Sequence, residues 1–171
     1  MLIVAAVDPG VTPTIAVIAT DGSVSFEEET SIVIKRNRKR RTVPQPHLIA
    51  NALRRIRPDI IIVEDVQPMG GVKQGRKRGI ASTAWFLHSR GLVEGCCAGL
   101  GLSYELVTPA VWTKAMGVKP GSGPEGARQR ALQLCPALAQ ALKTKSSHNR
   151  AAAYLMARWG LLTIAPKHPL F

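Results

Sequence analysis

The segment Ile60-Ile61-Ile62-Val63 limits what this chain can fold into. Consecutive apolar β-formers leave no polar face to turn toward water, so a strand built from them must be covered on both sides. Such a strand belongs in the middle of a sheet with helices above and below it. Pro58 ends the segment before it, and Glu64-Asp65 ends the strand itself. A second apolar run, Leu2-Ile3-Val4-Ala5-Ala6-Val7, has the same character and stops at Asp8-Pro9-Gly10.

The remaining segments can be ordered around these two. Residues 14–20 resume a β-rich pattern, Asp21-Gly22 is a tight hairpin signal, and residues 23–34 supply a third strand. Together with the first run they predict an antiparallel meander. Residues 35–41 and 66–79 read as loops, and Pro44 and Pro46 end the first of them. Leu48, Ile49, Ala52, Leu53 and Ile56 have helical spacing, and Pro58 stops that helix. Residues 80–100 predict a long helix, studded with Gly91, Gly95, Ala98, Gly99 and Gly101. Those small residues permit close approach of another helix, either in a dimer interface or under the sheet. Residues 103–107 form another strand, and Thr108-Pro109 starts a short helix. Residues 125–134, 137–142 and 149–162 are helical. The sum is one α/β domain over residues 1–171, a mixed sheet with helices on both faces.

Charge narrows the function classes. Lys and Arg number 23 against 11 Asp and Glu, a net +12. A folded domain with that surplus repels itself, so a polyanion is the natural partner. Nucleic acid comes first and an anionic membrane surface second. No stretch approaches the roughly 20 apolar residues needed to cross a bilayer. The N-terminal run is too short for a signal peptide and lacks a basic flank. Cys96, Cys97 and Cys135 are odd in number and lack metal-ligand spacing, which favours buried thiols in a reducing, intracellular compartment.

With so few acids, their places matter. Asp8 and Glu64 each stand at the carboxyl end of an apolar strand. Adjacent parallel strands would bring both to the rim where open α/β sheets bind ligands. Two carboxylates there repel unless a dication such as Mg²⁺ neutralises them. The pair is therefore a candidate metal site. The plainer alternative is a common Asp-Pro-Gly turn and a Glu that ends a strand in solvent.

The motif Val4-Ala5-Ala6-Val7-Asp8-Pro9-Gly10, followed by Ala16-Val17-Ile18, resembles the first motif of the RuvC family of Holliday-junction resolvases. Ile61-Ile62-Val63-Glu64 resembles the second, and Val107-Thr108-Pro109-Ala110-Val111-Trp112-Thr113-Lys114 the strand and Trp-Lys helix that follow. Leu134-Cys135-Pro136-Ala137-Leu138 and Asn149-Arg150-Ala151-Ala152-Ala153-Tyr154 resemble the two C-terminal helices. The plant chloroplast members share a Lys-Gln-Gly loop, here Lys73-Gln74-Gly75, and the resemblance is strongest to them. It covers nearly the whole chain.

The resemblance implies an RNase H-like five-stranded sheet and a homodimer that binds four-way junction DNA and makes paired nicks with Mg²⁺ or Mn²⁺. It implies metal ligands at Asp8, Glu64 and His148, with Lys114 and Lys119 near the scissile phosphate. The family's final carboxylate falls at Ala152, which can ligate nothing. Three explanations fit: a deliberate inactivating substitution, a natural variant that cuts weakly or not at all, or a register in which another group completes the site. On its own, His148 could equally cap a helix or lie in solvent.

Basic residues fall in clusters suited to phosphate. Arg36, Arg38, Lys39, Arg40 and Arg41 form one, with Lys35 beside them. Lys73, Arg76, Lys77 and Arg78 form another near the rim, in a DNA-binding loop with Gly75 and with Gln74, whose amide can read a base edge. Arg54, Arg55 and Arg57 form a third, and Arg150 joins the DNA-binding set. Trp85, Phe86, Trp112 and Trp159 have core packing as their default role. The leading expectation is a junction endonuclease impaired in cleavage. A branched-DNA-binding protein of the same fold is the alternative, and a small RNA-associated protein is a third class.

Overall fold

A computed structural model of the chain describes residues 1–36, 39–65, 80–144 and 147–163. β1 (Ile3–Asp8), β2 (Thr14–Ala19) and β3 (Val24–Glu27) form an antiparallel meander. β4 (Ser31–Arg36) and β5 (Lys39–Pro44) then pair only with each other, as a separate two-stranded ribbon. Helix α1 (Pro46–Ile56) leads to β6 (Ile60–Glu64), which lies parallel to β1. Helix α2 (Ile80–Gly99) leads to β7 (Tyr104–Val107), parallel to β6. Helices α3 (Pro109–Ala115), α4 (Gly123–Leu134) and α5 (His148–Thr163) complete the chain. The sheet order is β3-β2-β1-β6-β7.

The two apolar runs are the central pair, as their composition demands. Val4, Ala6, Ile60 and Ile62 point into one core layer with Trp112 of α3 and Ala151, Leu155 and Met156 of α5. Ala5, Val7, Ile61 and Val63 point into the other, with Ile49 and Leu53 of α1 and Val93 and Cys97 of α2. All eight strand residues are buried. At roughly 1.5–3 kcal/mol for each large side chain removed from water, these layers outweigh any local propensity.

Helix α5 lies against the sheet at its closest point through Gly160. A Cβ there would stand 2.5 Å from Cγ1 of Ile62 and 3.2 Å from Cγ1 of Val4. The other end of α5 is fixed by Arg150, whose guanidinium grips Glu28 just beyond β3. β3 ends beside the carboxyl end of β1, since Glu27 pairs with Ile15 and Ile15 with Val7. The helix thus runs antiparallel to β1, its start at the carboxyl rim and its Gly160 over Val4.

Two expectations are corrected. The third strand does not continue through residue 34. It breaks at Glu28–Thr30, where Thr30 is buried and its hydroxyl donates to the Pro13 carbonyl at 2.6 Å. The chain leaves the sheet there, so the described residues of the expected 35–41 loop are strand: Lys35 and Arg36 end β4, and Lys39, Arg40 and Arg41 begin β5. The helix expected over 137–142 is a single 3-10 turn, Pro136–Ala139. The cysteines are free thiols, and burial pushes Cys97 up to about 12. Among the described residues no helix is long and apolar enough to cross a membrane.

Gly160 and Gly91 give opposite expectations. Alanine gains up to about 1 kcal/mol over glycine in a helix. At Gly91, where a Cβ meets nothing within 4 Å, Gly91→Ala should raise stability by some of that. Gly160→Ala must displace fully buried Ile62, and overpacking of about 1–3 kcal/mol should make it net destabilising. Urea unfolding of the two variants checks the contrast.

Candidate active site

In the parallel pairing of β1 with β6, Val7 lies beside Val63, so Asp8 and Glu64 occupy the next positions on neighbouring strands. Side chains alternate along a strand, so both carboxylates share the face of Ala6 and Ile62, beneath α5. The expected juxtaposition at the carboxyl rim is present. Both residues are half-buried. Burial, and then the charge of Glu64, push the Asp8 carboxyl up from 3.8 to about 8.

Glu64 is held in place from β7 and α3. Thr108 precedes Pro109 at the first turn of α3, and one turn on the buried Trp112 donates its indole N–H to Oε1 of Glu64 at 2.9 Å. Core packing was the expectation for Trp112; it packs in the core and also orients a rim carboxylate. A buried indole N–H needs an acceptor, and that need was the signal available in the sequence.

Asp65 points to the opposite face, as strand alternation predicts. It forms an ion pair with Arg90 of α2, which also donates through Nε to Glu94 at 2.5 Å. The hydroxyl of Tyr104 donates to the other oxygen of Glu94 at 3.4 Å. This network fastens α2 to the end of β6 and leaves Asp65 out of the rim.

His148 opens α5 and is half-buried. Among the described residues no three His, Cys, Asp or Glu side chains are grouped to hold a metal ion, so His148 does not form a ready cluster with Asp8 and Glu64. Ala152 follows one turn later. Between Gly160 and Ala152 the helix rises about 12 Å. Between Val4 and Asp8 the strand rises about 13 Å. Antiparallel α5 therefore sets Ala152 level with Asp8, half-buried against the sheet.

Arg150, expected among the DNA contacts, spends its guanidinium inside the protein. It donates to both oxygens of Glu28 at 3.0 and 2.6 Å and to the Ala141 carbonyl at 3.0 Å, and lies 5.9 Å from the centre of the Phe26 ring. Lys114 and Lys119 are exposed and line one open cleft of about 660 Å³ between α3 and the start of α4. In the ribbon, Lys35, Arg40 and Arg41 are exposed, and the backbones of Arg36 and Lys39 pair at its tip. Arg54, Arg55 and Arg57 end α1, and Arg55 pairs with Glu27. Arg38, Lys73, Gln74, Gly75, Arg76, Lys77 and Arg78 lie outside the described residues.

No protein-family model and no curated protein sequence matches the chain. Solved structures do. The chain is similar to Thermus thermophilus RuvC in complex with a Holliday junction substrate, with a TM-score of 0.58 and 16% identity over 91% of this chain and 90% of that one. It is similar also to a second Thermus thermophilus RuvC structure, with a TM-score of 0.54 and 18% identity over 91% of each chain. The fold is of the RuvC type, an RNase H-like mixed sheet. Nearness to plant chloroplast members rested on residues 73–75, which are not among those described.

The Asp8 shift has a consequence for stability. Below 3.8 the carboxyl is protonated whether the chain is folded or not. Between 3.8 and about 8 the unfolded chain releases that proton and the folded chain keeps it. Its contribution to stability therefore falls across this window and levels off above it. In Asp8→Asn that slope should vanish, leaving the variant more stable than wild type at about pH 8 by on the order of a few kcal/mol. Urea unfolding of both proteins, without divalent ions, at several pH values measures the slope.

Proposed function

We propose that this chain binds four-way DNA junctions and nicks them weakly, using one divalent cation at the Asp8–Glu64 rim. The observation that carries the reading is the register of β1 and β6 within a RuvC-type fold, which sets two carboxylates side by side at the rim. A solved neighbour of the same fold is a RuvC in complex with a Holliday junction substrate, and the net +12 of this chain suits such a polyanion.

The donor set fits one hard cation. Asp8 and Glu64 supply two oxygens whose mutual repulsion a dication relieves, and Mg²⁺ keeps several waters of its own. The described residues gather no third ligand, so the rim is poorly equipped for two ions. When bound, Mg²⁺ or Mn²⁺ would polarise the scissile phosphate and lower the pKa of a bound water. The protein's own groups do the rest. Trp112 fixes the rotamer of Glu64. Lys114 and Lys119 line the cleft between α3 and the start of α4 and would hold phosphate charge there. A homodimer would match the two-fold symmetry of a four-way junction.

A second reading is favoured by one residue. Ala152 stands level with Asp8 and offers no oxygen, which suits a junction binder that has given up cleavage. The test compares wild type, Asp8→Asn and Ala152→Glu for binding and nicking of a four-way junction and a linear duplex with Mg²⁺ or Mn²⁺. Expected are tighter binding to the junction, slow nicking by wild type that Asp8→Asn abolishes, and at least about tenfold faster nicking by Ala152→Glu. Tight junction binding with no cleavage by any variant would establish the binder instead. Equal affinity for junction and linear duplex would overturn both readings.

A further inference from the structure

The β4–β5 ribbon stands outside the five-stranded sheet and carries the first of the basic clusters. Each strand has six residues, so the ribbon is about 20 Å long. Its root lies on the carboxylate rim. Thr30 donates to the Pro13 carbonyl at 2.6 Å, Ser31 donates to the Val11 carbonyl at 3.0 Å, and the Gln45 N–H donates to the Thr30 carbonyl at 2.8 Å. Pro13 precedes Thr14, the register partner of Asp8. The ribbon therefore leaves the sheet beside the candidate metal site.

Its charges are arranged against its own stability. Neither strand contains an acid. Lys35 is paired directly with Arg40, and Arg36 with Lys39. Like charges directly across a ladder destabilise it. Among the described residues no ion pair uses Lys35, Arg40 or Arg41. The repulsion stands unless an outside anion relieves it.

The faces say which anion. Alternation places Lys35 and Arg40 on one face, with Val33, and Arg41 on the other, with Ile32 and Ile34. A flat lipid surface meets one face of a ribbon only. A ribbon seated in a groove meets a rail of phosphates on each side. The B-form major groove admits a two-stranded ribbon, whereas the A-form major groove is too narrow. Val33 is 56% exposed, an apolar edge suited to a thymine methyl.

We propose that the β4–β5 ribbon lies in the major groove of a B-form DNA arm and grips its phosphates beside the Asp8–Glu64 rim. This rests on the nucleic-acid reading above but not on junction choice or cleavage, so it is tested on linear DNA. The triple variant Lys35→Ser, Arg40→Ser, Arg41→Ser of the whole chain is compared with wild type for binding a linear duplex across a salt series. Lys143→Gln with Arg158→Gln, two residues that belong to none of the basic clusters, controls for lost charge.

The expected result is a loss of affinity of about tenfold or more, with a salt slope shallower by about 2 to 3, at roughly 0.9 for each phosphate contact removed. The control should show a much smaller loss, and thermal unfolding should show the triple variant folded. Duplex RNA and vesicles containing phosphatidylserine serve as competing ligands whose binding the triple variant should change less. Unchanged affinity and slope for DNA would overturn the ribbon's role while leaving the nuclease reading intact. So would a loss as large in the control, or one seen only with RNA or vesicles. A wild-type chain that bound no duplex DNA at all would overturn the nucleic-acid reading itself.

Discussion

The parallel pairing of β1 with β6 is the contact on which the other features depend. Both strands are apolar on both faces, so each needs a layer above and a layer below. α5 and α3 supply one, and α1 and α2 the other. The register of that pairing then fixes the chemistry. A shift by one residue would turn Glu64 to the α2 face and Asp65 to the α5 face. Asp65 instead meets Arg90, and Glu64 meets Trp112. Each of the two adjacent acids has a partner suited to its own side of the sheet, so the polar contacts and the apolar layers specify the same register.

The electrostatic design is uneven by intent of position. Five acids outside the rim pair are matched with arginine: Glu27 with Arg55, Glu28 with Arg150, Asp65 and Glu94 with Arg90, Glu125 with Arg128. The rim pair is treated differently. Glu64 receives a neutral indole N–H, which orients the carboxylate without discharging it. Asp8 is burdened by burial and by Glu64. A dication at the rim, as proposed above, would offset both the burial of Asp8 and the charge of Glu64 beside it. The ribbon repeats the arrangement with the opposite sign, as opposed cations with no acid between them.

Much of this was legible in the sequence because it depends on periodicity. The apolar runs announced the central strands, alternation separated Asp65 from Glu64, and Pro58 and Pro109 marked helix ends. What escaped were partnerships between residues far apart in the chain. Nothing near Arg150 reveals that Glu28 will claim it, and nothing near Glu64 names Trp112. The ribbon was missed for a different reason. Its charge density looks like a solvated loop, while the β-branched Ile32, Val33 and Ile34 at its base are the strand signal. His148 and Ala152 depended on a family pattern, and only the placement of α5 shows where they stand.

That placement also gives a physical account of Ala152. Helix α5 is pressed onto the sheet, with Gly160 leaving no room for a methyl and Ala151, Ala153 and Ala157 fully buried. At this depth a carboxylate at position 152 would be half-buried beside Asp8 and Glu64, adding a further acid to a site where burial and Glu64 already raise the Asp8 carboxyl to about 8. Such a group is tolerable only where cations are bound tightly enough to offset the added charge. A rim that binds one ion weakly, or only when the phosphates of a substrate arrive with it, is more stable with alanine there. Loss of the last acid and retention of the first two are thus consistent with one another. In the function proposed above, the pair would draw a dication toward bound DNA, and alanine at 152 would lower the cost of keeping the site empty in the folded chain.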